Sequence, residues 1–234
     1  MFDVSKFTVE KARPLPVILL LDGSGSMAGE KIASLNNAVN EMIESFKSEG
    51  SMETEIQVAI ITFGGNGANL VLPLTPSKNI NSPQLTADGM TPMGAALSLA
   101  KNMIENKEII PSKGYRPTVV LISDGAPNDS WEEPMNAFIS SGRSSKCDRM
   151  AMAIGTSQND PVLNKFLNDT ENKVFLASDA SGISQFFKMV TMSVSVRSRS
   201  QNPNQMVSMQ QLAQIAGTTG LSADIKALND FSNF

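Results

Sequence analysis

The feature that most restricts the fold is an alternation of two hydrophobic periods. Short, nearly unbroken apolar runs stand at Val17 to Leu21, Ile56 to Phe63, Thr118 to Ile122, Met150 to Ile154 and Val174 to Ala177. Runs of this length, rich in Val, Ile and Leu and bounded by Gly, Asp, Asn or Ser, suit strands covered on both faces. Between them apolar residues recur at three and four. Ile32, Leu35, Val39, Met42, Ile43 and Phe46 form one such stripe; Ala96, Leu97, Ala100, Met103 and Ile104 form another. Helices are also expected over Trp131 to Ile139, Pro161 to Leu167 and Ile183 to Val194. This alternation predicts an α/β, Rossmann-like doubly wound, mainly parallel sheet with helices on both faces. Asn69 to Leu74 follows Phe63 through GGNG, which predicts one antiparallel edge strand beside Ile56 to Phe63.

The chain of 234 residues is long enough to bury one large core. Its pattern divides into a lead-in over 1–14, a domain over 15–198 and a tail over 199–234. The tail is polar at first, then regains helical spacing at Met206, Met209, Leu212, Ala213 and Ala216, and again at Ile225, Leu228 and Phe231. It reads as short amphipathic helices or as a partly ordered terminus. Met189, Met192, Met206 and Met209 are expected to act chiefly as adaptable core filler.

Composition removes several chemistries. The chain has no histidine and one cysteine, Cys147, so a Ser-His-Asp or Cys-His nucleophile cannot be assembled. Zinc sites that need several nitrogen and sulfur ligands are equally out of reach within one subunit, and any metal must be held by oxygen. Cys147 cannot form an internal disulfide and reads as a small buried side chain. The net charge of −4, without a basic stripe, argues against nucleic acid as a partner. The longest apolar run, Pro14 to Leu21, is too short to span a membrane, and a cytoplasmic protein is expected.

In doubly wound sheets sites form beyond the carboxyl ends of strands. The first run leads into Asp22-Gly23-Ser24-Gly25-Ser26, one carboxylate and two hydroxyls at alternate positions of a turn. That is a compact set of hard oxygen donors, suited to magnesium, which prefers octahedral oxygen ligands and keeps several waters. Asp and Ser also favour turns and helix caps. Thr91 precedes Pro92 and a helical stripe, a helix-start signature in its own right. Asp124 ends TVVLIS before Gly125 and is equally suited to a turn. Taken together these residues supply two carboxylates and three hydroxyls from separate loops at one end of a parallel sheet, which favours the metal reading. Asp129 and Trp131, close behind Asp124, are candidates for partner contact. Asp129 also fits a solvated turn, and Trp131 a helix-start packing role.

DGSGSM resembles the D-x-S-x-S metal motif of von Willebrand factor A domains, with Thr91 and Asp124 at the positions of that family's second and third metal loops. Within the family, PVILLLDGSGSM, LTADGMTPMGAAL, ISDGAPNDSW and DASGISQFFKMVTMSVSVRS resemble the bacterial TerY type associated with tellurite resistance. Gly23 and Asn128 depart from the pattern, where bulkier residues or Thr are usual. The resemblance implies a binding module with a metal-ion-dependent adhesion site. Ser24, Ser26 and Thr91 would be direct ligands, Asp22 and Asp124 would orient bound waters, and an acidic residue of a partner would complete the octahedron. It implies Mg2+ as the ion, with Mn2+ or Ca2+ as alternatives, and a Ser/Thr kinase or a metal-dependent phosphatase as the associated partner.

Two other classes compete with that reading. A phosphoryl-transfer enzyme also places an aspartate after the first strand, but it needs a second carboxylate two residues on, where this chain has Ser24. A purely structural module would fold and assemble without metal.

Overall fold

Strand β1 (Arg13–Asp22) is buried at every position from Leu15 to Asp22, so it needs protein on both faces and both edges. A computed structural model, which describes residues 12–205 apart from 50–52, 66 and 169, together with 207, 211 and 212, places it centrally. Strands β2 (Thr54–Gly64) and β4 (Thr118–Ser123) flank it in parallel. Beyond β4 lie β5 (Asp148–Ile154) and β6 (Phe175–Ala177), also parallel. Strand β3 (Gly67–Pro76) closes the other edge antiparallel to β2. The order β3-β2-β1-β4-β5-β6 matches the expected mainly parallel sheet with one antiparallel edge.

Side chains of a strand alternate between faces, and β1 divides its residues accordingly. Leu15, Val17, Leu19 and Leu21 pack into one core with α1 (Glu30–Ser48) and α5 (Ala180–Arg199). Ile18 and Leu20 face a second core with α2 (Met93–Glu105), α3 (Glu132–Ser140) and α4 (Pro161–Phe166). Full burial of a side chain such as Leu19 or Phe46 contributes about 1.5–3 kcal/mol. The α1 stripe read from the sequence is the buried face, with Leu35, Val39, Met42, Ile43 and Phe46 all inside. Helix α5 starts ahead of the expected Ile183 because Asp179 caps it, accepting from the Gly182 N–H at 2.9 Å.

The chain leaves β1 toward β2 on one side, while β4 pairs on the other. Direction therefore reverses between β1 and β4, and a crevice opens beyond their carboxyl ends. Asp22 and Asp124 flank that crevice.

At the opposite end of the sheet, the fully buried Arg197 guanidinium ties α5 down. It donates to Pro203 O at 2.9 Å, Thr118 Oγ1 at 2.5 Å and Arg116 O at 2.5 Å, and lies 3.7 Å from Asp148 Oδ2. Burial pushes the Asp148 carboxyl up and the Arg197 guanidinium down from their ordinary values, and each partly offsets the shift of the other. Asn204 Oδ1 extends the clamp by accepting from the Arg116 N–H at 2.7 Å. Further along, Gln211 and Leu212 are helical and Leu212 is buried. The tail positions Met206, Met209, Ala213, Ala216, Ile225, Leu228 and Phe231 lie outside the described residues. Met189 is in the core as expected. Among the described residues no helix is long and apolar enough to cross a membrane. Cys147 is buried, and burial raises its thiol to about 12.

Replacing Arg197 strands the Asp148 carboxylate and leaves three acceptors without their donor. Arg197→Leu is expected to cost about 3–5 kcal/mol. Urea unfolding at neutral pH measures this, and a loss below about 1 kcal/mol contradicts the clamp.

Candidate functional site

The crevice is lined by a hydrogen-bond chain that starts inside the protein. Asp22 is 0% exposed. Its Oδ1 accepts from the Ser24 N–H at 2.9 Å and its Oδ2 from the Ser123 hydroxyl at 2.6 Å. Parallel pairing of Leu21 with Ile122 puts Asp22 and Ser123 side by side at the ends of β1 and β4. Ser123 Oγ in turn accepts from the Gly125 N–H at 3.3 Å. Despite these donors the Asp22 carboxyl is held above its ordinary value, chiefly by burial, with the neighbouring Asp124 charge adding to the shift.

The outer part of the chain is more accessible. Ser24 Oγ and Ser26 Oγ are 3.0 Å apart, and Ser26 Oγ donates to Asp124 Oδ1 at 2.6 Å. A short helical turn over Gly25–Met27 aims both hydroxyls the same way, with Ser24 buried and Ser26 exposed. Adjacent ligands on an octahedral magnesium, with metal–oxygen distances near 2.1 Å, lie about 3.0 Å apart. The serine pair has that separation already, and the donor set is all oxygen.

The loop before α2 is pressed onto this turn. Gly25 N–H donates to Gly89 O at 3.0 Å, and Asp88 N–H donates to Gly23 O at 2.8 Å. The space beside Gly23 is tight: a Cβ there would lie 3.0 Å from Thr86 O, so a bulkier residue requires that loop to give by a few tenths of an ångström. Gly89 adopts φ +67, and a Cβ on it would fall 2.6 Å from Gly65 Cα, so only glycine fits this crossing. Thr91 follows, buried, with its N–H bonded to Asn128 Oδ1 at 3.1 Å and its carbonyl accepting from the Asn128 N–H at 3.2 Å. Asn128, the other departure, thus fixes the Thr91 backbone from the β4 side. The structure joins Asp22, Ser24, Ser26 and Asp124 in one network. It sets Thr91 on the adjoining loop, linked through its backbone.

Asp129 and Trp131 have internal partners. The Asp129 carboxylate accepts from the Gly94 and Ala95 N–H groups at 3.1 and 3.0 Å. It caps α2 from another loop, a task that its own N-cap, Pro92, does not perform. Trp131 packs on the second core, with the Lys165 ammonium 5.3 Å from its ring centroid, a cation–π distance. Met90, 60% exposed, is the apolar side chain presented beside Thr91.

Sequence reasoning missed Ser123 and Lys31. Ser123 was legible in principle, as the residue that must neighbour Asp22 once β1 and β4 pair. Lys31 Nζ lies 2.6 Å from Asp124 Oδ2, and no pattern along the chain announces that contact.

The family model of the von Willebrand factor type A domain matches residues 17–189. The chain belongs to this family. It is 26% identical over 144 residues to the magnesium-chelatase 60 kDa subunit of Rhodobacter capsulatus, covering 59% of this chain and 24% of that subunit. Among solved structures it resembles a von Willebrand factor type A protein from Catenulispora acidiphila, with TM-score 0.57 and 20% identity over 78% of this chain and 42% of that one. It also resembles the pilus adhesin SpaC of Lactobacillus rhamnosus GG, with TM-score 0.60 and 15% identity over 78% of this chain and 30% of the adhesin. This von Willebrand A chain spans less than half of each of these proteins, and the two structures share its fold. Domains of this family commonly mediate protein–protein interaction.

The raised Asp22 carboxyl gives a pH signature in metal-free protein. The native state binds this proton more tightly than the unfolded chain, so stability falls as pH rises from about 3.8 through the folded-state value. Asp22→Asn removes that loss. In EDTA, thermal melts are expected to show the variant at least as stable as wild type at pH 7, with the advantage shrinking toward pH 4. An advantage that grows on acidification contradicts the assignment.

Proposed function

We propose that this von Willebrand A domain is a metal-dependent protein-binding module in which Mg2+ at the β1–β4 crevice captures an acidic residue of a partner. The observation that carries it is the Ser24–Ser26 hydroxyl pair, 3.0 Å apart and tied to Asp124, at the topological switch point. Ser24, Ser26 and Thr91 hold the ion, and Asp22 and Asp124 orient its waters. Few charged ligands in direct contact leave the ion electron-poor, so it still attracts an outside carboxylate. Exposed Met90 offers an apolar contact beside that carboxylate. By the resemblance to the TerY type, the partner is a Ser/Thr kinase or a metal-dependent phosphatase in a phosphorylation-linked response to tellurite or related stress.

Phosphoryl transfer is the weaker reading on a specific observation. A nucleophilic aspartate must meet the phosphorus, whereas Asp22 is 0% exposed and both its oxygens accept internal hydrogen bonds.

The Ser24→Ala, Ser26→Ala double variant is expected to keep its circular dichroism spectrum and lose Mg2+ binding by at least about tenfold, since two direct ligands are removed. Titration calorimetry that finds the variant and wild type binding Mg2+ alike rejects the site.

A further inference from the structure

Lys31 is the second residue of α1, where a positive charge opposes the helix dipole. Its side chain is partly exposed. It turns back to Asp124 Oδ2 at 2.6 Å and to Ser26 O at 3.3 Å. The lysine side chain is 38% exposed and that of Asp124 is 0% exposed, so a flexible surface cation reaches down to a buried carboxylate. The other oxygen of the same carboxylate accepts the Ser26 proton at 2.6 Å. One aspartate is therefore shared between a protein cation and a hydroxyl of the serine pair.

We propose that Lys31 is a tethered cation that competes with the divalent ion for Asp124 and thereby sets the metal affinity of the site, an inference that rests on the metal reading given above. A dication entering beside Ser26 brings two positive charges close to the ammonium. Either the lysine swings outward on its four methylenes or both cations share one carboxylate, and each outcome weakens metal binding. A monovalent ion carries no more charge than the lysine and lacks its covalent tether, so it gains nothing by displacing it. The lysine thus disfavours monovalent ions and gives the crevice a loading threshold for dications.

The test uses the full chain as wild type, Lys31→Met, Lys31→Arg and the Ser24→Ala, Ser26→Ala variant. Calorimetric titration with MgCl2 is paired with thermal melts in EDTA. A unit charge about 6 Å from a dication in a near-aqueous dielectric changes affinity on the order of tenfold. Lys31→Met is therefore expected to bind Mg2+ about tenfold more tightly than wild type, yet to melt lower in EDTA, where the buried carboxylate has lost its counter-ion. Lys31→Arg is expected to stay within about twofold of wild type, because it keeps the charge. Wild-type binding that depends on the two serines, with Lys31→Met binding equally or more weakly, overturns the proposal and leaves the site reading intact. No Mg2+ binding by wild type or by Lys31→Met overturns both.

Discussion

A carboxylate at the end of a strand without an exposed face has to be solvated by protein, and the upper end of this molecule is organised around that requirement. Asp22 closes β1, a central strand that contributes to both cores. Its charge is met by the Ser24 amide and the Ser123 hydroxyl, and these bonds are incomplete compensation, since burial still dominates its protonation. A positive ion a few ångströms further out would offset the remainder. The same carboxylate that strains the fold electrostatically would also give a metal its reason to bind.

Satisfying Asp22 also constrains the backbone around it. The Ser24 amide can turn toward Oδ1 only if the chain bends sharply after β1, and the loops after β2 and before α2 close over that bend. A Cβ on Gly64 would fall 2.2 Å from Gly23 O, which shows how tightly the loops are pressed. Thr91 and Asn128 then lock the α2 and β4 loops to one another. Electrostatic need at one residue thus propagates into the geometry of three loops, while the remote Arg197 clamp fixes α5 without taking part in the site.

Much of this was legible along the chain. The parallel strands announced themselves because a strand buried on both faces has no polar alternation to blur it, and α1 because its apolar stripe faces a single core. Asp22, Ser24, Ser26 and Asp124 were readable because strand ends are where a doubly wound sheet gathers its chemistry. What escaped depends on pairing between distant segments. Asp129 is separated by 35 residues from Gly94, whose amide it caps, so its internal role surfaces only when α2 and the β4 loop are brought together. Lys31 reads as an ordinary surface lysine until Asp124, 93 residues away, is placed beside it. Arg197 lies beyond the helix expected to end at Val194, and its burial becomes evident only with Arg116, Thr118 and Pro203 around it.

We propose that the crevice beyond β1 and β4 holds a divalent ion through Ser24, Ser26 and Thr91. Paramagnetic broadening by substoichiometric Mn2+ in an amide-resolved NMR spectrum tests it directly. The signals of Ser24, Ser26, Thr91 and Gly125 are expected to broaden first and to recover when excess Mg2+ is added. Broadening centred elsewhere, such as on the acidic face of α1 around Glu41 and Glu44, or none that Mg2+ reverses, would contradict it.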